Sequence, residues 1–261
     1  MLLGVLGWPV RHSRSPAMMS AALEALGLKW RYLRLPVSPE LFERTVRALP
    51  GSGYRGANVT VPHKLAAAAL CDELSDTARA VGAVNTLGFR DGRIEGENTD
   101  APGLLDAIGE PVAGRRALVL GAGGAGRAAA WALREAGAEV SVWNRTAERA
   151  AALARDLEIA HVEGSGDQEL LVNSTSVGLA AGSSEEEVLA ALDLAGAEPP
   201  GLLVDMVYGA EQTALTGWAE RGGARVVDGL ELLVRQGARS LALWAGAEPP
   251  LEVMRRAARH G

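Results

Sequence analysis

Lys64 closes the stretch Asn58-Val59-Thr60-Val61-Pro62-His63-Lys64 and is the side chain in this sequence best suited to hold and hand over a proton. Among 26 basic residues only Lys29 and Lys64 are lysines, so the chain otherwise fills its cationic positions with arginine. A guanidinium is locked in its charged form, whereas an ammonium is a compact charge that can release a proton. A lysine kept inside a polar motif therefore points to proton chemistry. A solvated lysine at a helix start is the alternative, and the neighbouring motifs weigh against it.

The segment Gly7-Trp8-Pro9-Val10-Arg11-His12-Ser13-Arg14-Ser15-Pro16 sets two hydroxyls two residues apart, just before a helix. Hydroxyls and free N–H groups at such a turn make a seat for a carboxylate. A helix cap with one incidental serine reads equally well. Gly82-Ala83-Val84-Asn85-Thr86 and Glu97-Asn98-Thr99-Asp100 add polar groups at strand ends. Asn58, Thr60, Asn85 and Asp100 could together bind a polyhydroxylated ring, because amides and carboxylates meet hydroxyls in fixed directions. Singly, each Asn or Asp reads as a turn residue. Neighbours on a helix point about 100° apart, so His63 packs or faces solvent rather than sharing the work of Lys64. His12 reads as structural, and His161 and His260 lack partners at metal-ligand spacing, so no metal is expected.

Leu118-Val119-Leu120 runs into Gly121-Ala122-Gly123-Gly124-Ala125-Gly126 and an alanine-rich helix. This is G-x-G-x-x-G between strand and helix, where glycines permit the turn and close approach of a pyrophosphate to the helix N-terminus. The next strand ends in Asn144-Arg145-Thr146, where a site for NAD would carry an acid on the ribose hydroxyl. Arg145, with Thr146 and Arg149, suits a 2′-phosphate instead, so the cofactor expected is NADP. A simple helix cap at Asn-Arg-Thr is the other reading.

The elements that position these groups alternate strand with helix. Apolar runs predict strands at 2–6, 31–35, 57–60 and 83–89, with helices at 16–26, 39–49 and 62–70 between them. Ser15 and Ser38 stand as caps before prolines. A second series of strands at 116–120, 139–144, 170–173, 202–206 and 225–227 is separated by helices at 125–136, 147–157 and 212–221, and helices at 231–244 and 251–259 close the chain. Such alternation predicts parallel sheets covered by helices, with a domain boundary near Thr99–Pro102. The expected fold is α/β with two α/β domains and an interdomain cleft: a substrate domain from residues 1–100 plus 239–261, and a Rossmann-type, doubly wound parallel-sheet cofactor domain from 101–238.

With 261 residues, 48% apolar content and a net charge of −6, the composition is that of a soluble globular protein without a nucleic-acid surface. No apolar segment approaches the length of a membrane span. The run Met1–Gly7 is too short for a signal peptide and reads as a strand. One cysteine, Cys71, reads as a buried structural thiol on a helix and fits a reducing cytoplasm. The oligomeric state is not legible, and a homodimer stays open.

Taken in order, HSRSP, GANVTVPHK, GAVNT, ENTD, GAGGAG, NRT and NSTSVG (173–178) make a chain-long pattern. It continues through Val204–Tyr208 and Asp228–Gln236, and it resembles the NADP-dependent shikimate dehydrogenases of the shikimate/quinate dehydrogenase family. The resemblance implies reversible reduction of 3-dehydroshikimate to shikimate by NADPH in aromatic amino-acid biosynthesis. It implies that Ser13 and Ser15 hold the substrate carboxylate and that Lys64 and Asp100 are the catalytic pair. Asn58, Thr60, Asn85, Tyr208 and Gln236 would orient the ring. Gly121, Ala122, Gly123, Gly124 and Ala125, then Asn144, Arg145, Thr146 and Arg149, then Met206 and Gly229, would line the cofactor path, with Asp76 approaching it. Met19-Ser20, Gly209-Ala210 and Leu232-Leu233 depart from the family pattern without removing a proposed catalytic group. A quinate/shikimate dehydrogenase with relaxed cofactor use is the nearest rival, and a non-catalytic NADP-sensing regulator is a rival of another class.

Overall fold

Short apolar runs and alanine-rich amphipathic stretches become strands and helices in the computed structural model, which describes residues 1–164, 168–179, 182–209 and 212–260. The chain divides into two compact units, Met1–Gly103 with Leu233–Gly261, and Leu104–Leu232. The divisions fall at 103/104 and 232/233, so Leu233–Ala238, and Gln236 with them, group with the first unit. Among the described residues no helix is long and apolar enough to cross a membrane.

The first unit opens with β1 (Leu2–Gly7), α1 (Ser15–Ala25), β2 (Arg31–Pro36), α2 (Phe42–Ala48) and β3 (Tyr54–Val59). Next come α3 (Lys64–Ala68), β4 (Glu73–Leu74), α4 (Asp76–Val81), β5 (Thr86–Arg90), β6 (Arg93–Glu97) and α5 (Asp100–Ile108). The six strands form one sheet in the order β2-β1-β3-β5-β6-β4. Strand β1 is parallel to β2 and β3, but β5 runs antiparallel to both β3 and β6, and β4 is parallel to β6. The parallel sheet expected for this half is therefore mixed. β5 passes into β6 through a two-residue hairpin: Asp91 and Gly92 both adopt positive φ, 52° and 77°, the twist that a tight hairpin requires. Because β5 is reversed, its beginning lies at the same sheet edge as the ends of β1, β3 and β6.

Three local expectations change. Ser15 is the first residue of α1, not its cap, and Ser38 caps the short turn Pro39–Leu41 without a side-chain bond. Pro62 and His63 form a turn, with the His63 N–H on the Thr60 carbonyl, so the helix begins only at Lys64 and ends at Ala68. Cys71 lies beyond that helix. It is half-buried, its thiol donates to the Ala67 carbonyl, and burial with Asp72 nearby pushes the thiol up to about 12, which makes it inert as a nucleophile. Helix α5 runs through the boundary expected near Thr99–Pro102.

The second unit runs β7 (Arg116–Leu120), α6 (Gly124–Glu135), β8 (Glu139–Trp143), α7 (Ala147–Leu157), β9 (Ala160–His161) and β10 (Leu170–Asn173). It continues with α8 (Glu185–Ala191), β11 (Leu202–Asp205), α9 (Ala214–Arg221) and β12 (Arg225–Val227). All pairings are parallel, in the order β12-β11-β10-β7-β8-β9. Counted from β7, this is the doubly wound order of a dinucleotide fold. Strands β10 and β11 are buried at every residue, as expected of parallel strands covered on both faces.

Helices α10 (Gly229–Ala245) and α11 (Leu251–His260) end the chain, and α11 packs on α1 in the first unit. The C-terminal turns of α10 seat on that unit's sheet, where Trp244 Nε1 donates to the Leu87 carbonyl at 3.0 Å. The indole fits because Gly56 has no side chain: a Cβ there would collide with Trp244 Nε1 and lie 2.5 Å from the Leu87 carbonyl. Overpacking of this kind costs about 1–3 kcal/mol. Gly56→Ala should therefore lower the thermal midpoint and loosen Trp244, read by calorimetry and tryptophan emission; an unchanged midpoint would show that α10 is not locked there.

Candidate active site

At the polar edge of the first unit's sheet, backbone bonds join the segments that carry the predicted groups. The Thr60 N–H donates to the Leu6 carbonyl at 2.8 Å and the Trp8 N–H to the Val61 carbonyl at 3.0 Å, tying the serine turn to the lysine turn. The Val59 N–H donates to the Asn85 carbonyl and the Val84 N–H to the Lys64 carbonyl. Strand pairing sets Thr86 opposite both Asn58 and Glu97, which brings Asn85 beside the turn leading to Asp100.

Lys64 and Asp100 meet here. Lys64 Nζ donates to Asp100 Oδ2 at 2.7 Å, with the side chains only 14% and 10% exposed. Asp100 begins α5, so the free N–H groups of that helix present positive charge to the carboxylate. Asn85 Nδ2 donates to Asp100 Oδ1 at 2.9 Å and lies 3.3 Å from Gln236 Oε1, while Gln236 Nε2 donates to the Leu233 carbonyl. A lysine whose ammonium is aligned by a buried carboxylate can deliver a proton to an adjacent oxygen and take it back.

The other residues expected at this edge divide into two groups. Ser13 and Ser15 are buried, and the Ser15 N–H lies 3.3 Å from Ser13 Oγ; among the described residues the hydroxyls of Ser15 and Thr60 bond no other side chain. Arg34 donates to the Ser13 carbonyl at 2.8 Å and holds the turn. Asn58 is committed to the protein: its Oδ1 accepts from Tyr32 at 2.7 Å, and its Nδ2 faces the Asn85 carbonyl, Thr86 and Ser240. Asp76 is fully exposed at the start of α4 and sits 3.8 Å from Arg79. His63 packs, as expected, stacked on Phe42 at 4.2 Å with Nε2 on the Val37 carbonyl. Met19 is buried in α1, and of the departures from the family pattern Ala210 lies outside the described residues. Ser240, Thr86, Thr99 and Tyr32 were not singled out from the sequence. The spacing of Gln236 and Ser240, four apart on one helix face, is the signal that could have found the first of them.

In the second unit the loop Gly121–Ala125 enters α6. Gly123 caps that helix without any side-chain bond, and a Cβ added there would meet open space. A Cβ on Gly126 would collide with the Gly121 carbonyl, and Gly121 itself has φ +107° with Ser174 Oγ 2.6 Å from where a Cβ would stand. The N–H groups around Gly124 and Ala125 are therefore free at an open helix N-terminus, the arrangement that accepts phosphates. Asn144 Oδ1 accepts from the Ala122 N–H at 3.2 Å, joining the loop to the end of β8. Thr146 occupies the cap position of α7 without a side-chain cap bond. Arg145 and Arg149 are exposed, and among the described residues their side chains have no partner. Two unengaged guanidiniums beside a neutral Asn144 suit a 2′-phosphate and would not serve a bare ribose hydroxyl. The residues present thus fit NADP.

Two more loops of this unit carry expected site residues. The Met206 N–H donates to the Asn173 carbonyl, and a Cβ on Gly229 would lie 2.8 Å from the Met206 carbonyl. Tyr208 is half-buried just beyond. Asp205, at the end of β11, holds this turn: it accepts from Asn173 Nδ2 at 2.9 Å, the Val207 N–H at 3.1 Å and Thr213 Oγ1 at 2.6 Å. Burial pushes its carboxyl up to about 6 in spite of those three donors.

An open phosphate-binding helix terminus on a doubly wound sheet, in a chain that also aligns a lysine for proton transfer, defines a nicotinamide-dependent oxidoreductase. Comparison with known proteins narrows the class. Residues 5–87 match the shikimate dehydrogenase substrate binding domain, 104–207 the shikimate/quinate 5-dehydrogenase domain and 229–259 the shikimate 5′-dehydrogenase C-terminal domain. A shikimate dehydrogenase (NADP(+)) of Acidiphilium cryptum is 45% identical over 96% of this chain and 92% of its own length. One from Anaeromyxobacter dehalogenans is 46% identical over 98% of this chain and 95% of its own. The crystal structure of shikimate 5-dehydrogenase from Thermus thermophilus, in complex with NADP(H) and shikimate, superposes with a TM-score of 0.87 at 43% identity, covering 100% of this chain and 99% of that one. The chain belongs to the shikimate dehydrogenase family.

The Asp205 carboxyl yields a test of the turn it holds. A group held above its ordinary value of 3.8 binds its proton more tightly in the folded state. Its stabilising contribution is complete below that value and is lost as the pH rises through about 6. Between about pH 4 and about pH 7 the wild type should lose roughly 3 kcal/mol relative to Asp205→Asn, read from denaturant midpoints. A wild-type stability that holds level with Asp205→Asn, or rises against it, over this range would show that Asp205 is not buried as described.

Proposed function

We propose that this protein catalyses the reversible, NADPH-dependent reduction of 3-dehydroshikimate to shikimate, acting in the cytoplasm. The observation that carries this reading is the contact of Lys64 Nζ with Asp100 Oδ2 at 2.7 Å, with Asn85 on the other carboxylate oxygen. NADPH, held by Gly121–Ala125 with Asn144, Arg145, Thr146, Arg149, Met206 and Gly229, supplies the hydride.

The substrate carboxylate seats on the Ser13–Ser15 turn, where unengaged hydroxyl and backbone donors suit an anion. Thr60, Asn85 and Gln236, with Tyr208, fix the ring hydroxyls in direction. Asn58 acts from behind, holding the end of β3 in place. The Lys64 ammonium lies against the ketone oxygen, stabilises the negative charge that develops there and gives it a proton. Asp100 keeps that ammonium oriented. In the reverse direction Lys64 takes the proton from the hydroxyl.

Purified protein with shikimate and NADP⁺ should generate the absorbance of NADPH. Lys64→Ala should lower kcat by roughly 10²–10⁴-fold, the usual range for general acid–base groups, with a much smaller change in KM. Lys64→Arg should fail as well, since it keeps the charge and loses easy proton release. A raised KM with kcat intact would contradict this role. Arg145→Ala should raise KM for NADP⁺ while leaving KM for shikimate alone; equal loss for NAD⁺ and NADP⁺ would contradict the 2′-phosphate assignment.

A further inference from the structure

Ser240 lies outside the motifs read from the sequence, yet it is wholly buried and its hydroxyl is the centre of a polar cluster behind the catalytic pair. Ser240 Oγ is 2.7 Å from Thr86 Oγ1, 3.1 Å from Thr99 Oγ1 and 2.9 Å from Asn58 Nδ2. It also donates to the Gln236 carbonyl one helical turn back, at 3.1 Å. A hydroxyl has one proton and two acceptor lone pairs. With the proton on the Gln236 carbonyl, the lone pairs serve Asn58 and a threonine hydroxyl. The proton of the other threonine is then directed onward to Asn85 Oδ1, which lies 3.2 Å from both Thr86 Oγ1 and Thr99 Oγ1. The Thr99 N–H reaches the same oxygen at 2.7 Å.

Donors converging on Oδ1 decide which way the Asn85 amide faces. With its oxygen held by the Thr99 N–H and a threonine hydroxyl, its NH₂ must point at Asp100 Oδ1, where it donates. The reverse orientation would press a carbonyl oxygen against a carboxylate. We propose that Ser240 is a positioning residue for the reaction: through Thr86 and Thr99 it fixes the Asn85 amide, and through Asn85 it keeps the Asp100 carboxylate aligned on Lys64. This rests on the reading of Lys64 and Asp100 as the catalytic pair.

The test compares Ser240→Ala, Thr86→Val, which keeps shape and loses the hydroxyl, and Thr86→Ser, which keeps the hydroxyl and loses a methyl. Two readouts are taken, steady-state kinetics with shikimate and the rate of amine labelling of Lys64. Lys29, exposed and the only other lysine, is the internal reference for labelling. Ser240→Ala and Thr86→Val should each lower kcat about tenfold with KM for shikimate within about twofold, and raise the Lys64-to-Lys29 labelling ratio about threefold as the ammonium loosens from its carboxylate. Thr86→Ser should stay within about twofold of wild type in both readouts. If Ser240→Ala does not fold, Thr86→Val and Thr86→Ser carry the same comparison. Wild-type kinetics and labelling in Ser240→Ala, even with a lower melting temperature, would overturn the proposal, as would Thr86→Ser failing as badly as Thr86→Val. Silence of the wild type toward shikimate would overturn the proposed activity instead, while the labelling ratio would still decide this one.

Discussion

A carboxylate as buried as Asp100 needs a partner, and satisfying that need organises the first unit. Removing one member of a buried ion pair costs about 3–5 kcal/mol, because the survivor is left charged and unsolvated. Asp100 meets the demand with Lys64 on one oxygen, Asn85 on the other and a helix N-terminus beneath. Each partner must be delivered by a different element. Lys64 begins α3 after β3, Asn85 stands before β5, and Asp100 follows β6. The same requirement that keeps the carboxylate folded in also aims the ammonium, so burial of Asp100 and alignment of Lys64 rest on one contact.

The mixed sheet is what makes that delivery geometrically possible. In an all-parallel arrangement the segment before β5 would lie at the far edge of the sheet from the segment after β3. Here β5 runs antiparallel to β3 and, through the Asp91-Gly92 hairpin, to β6, so the start of β5 and the ends of β3 and β6 share one edge. Polar residues that serve as turn residues singly are then stacked side by side. Behind them Asn58, Thr86, Thr99 and Ser240 satisfy one another in a place where an unpaired group would be expensive. The second unit solves a simpler problem. Its phosphate site needs only a tight turn at a strand end and an uncapped helix, both local properties of Gly121–Gly126.

How much was legible follows from that difference. The Rossmann unit was readable almost strand for strand, because parallel strands buried on both faces are continuous apolar runs and α6 and α7 carry a helical period. Only the short β9 and α8 escaped notice there. In the first unit β6, Arg-Ile-Glu-Gly-Glu, is polar at alternate positions and too weak in apolar residues to be read as a strand. The Asp-Gly pair before it was the available signal for the hairpin. The short α3 was overestimated because its alanines continue the pattern past the point where the chain turns. Ser240 escaped because its one local mark, the spacing of four from Gln236, does not by itself tell a buried serine on a long helix from an exposed one.

By itself the sequence determined the inventory of chemistry: a rare lysine in a polar motif, a serine turn, a glycine loop between strand and helix, and an arginine where an acid would select NAD. These are readable because each depends on residue type and on spacing within one element or turn. Only the tertiary structure decided which polar groups face one another. It set Asn85 with its amide toward Asp100, committed Asn58 to Tyr32 and Ser240, and grouped Gln236 with the first unit rather than the second. Those outcomes depend on strand direction and register across gaps of up to 182 residues. Direction and register are fixed by cross-strand pairing and burial, which no local stretch of sequence contains.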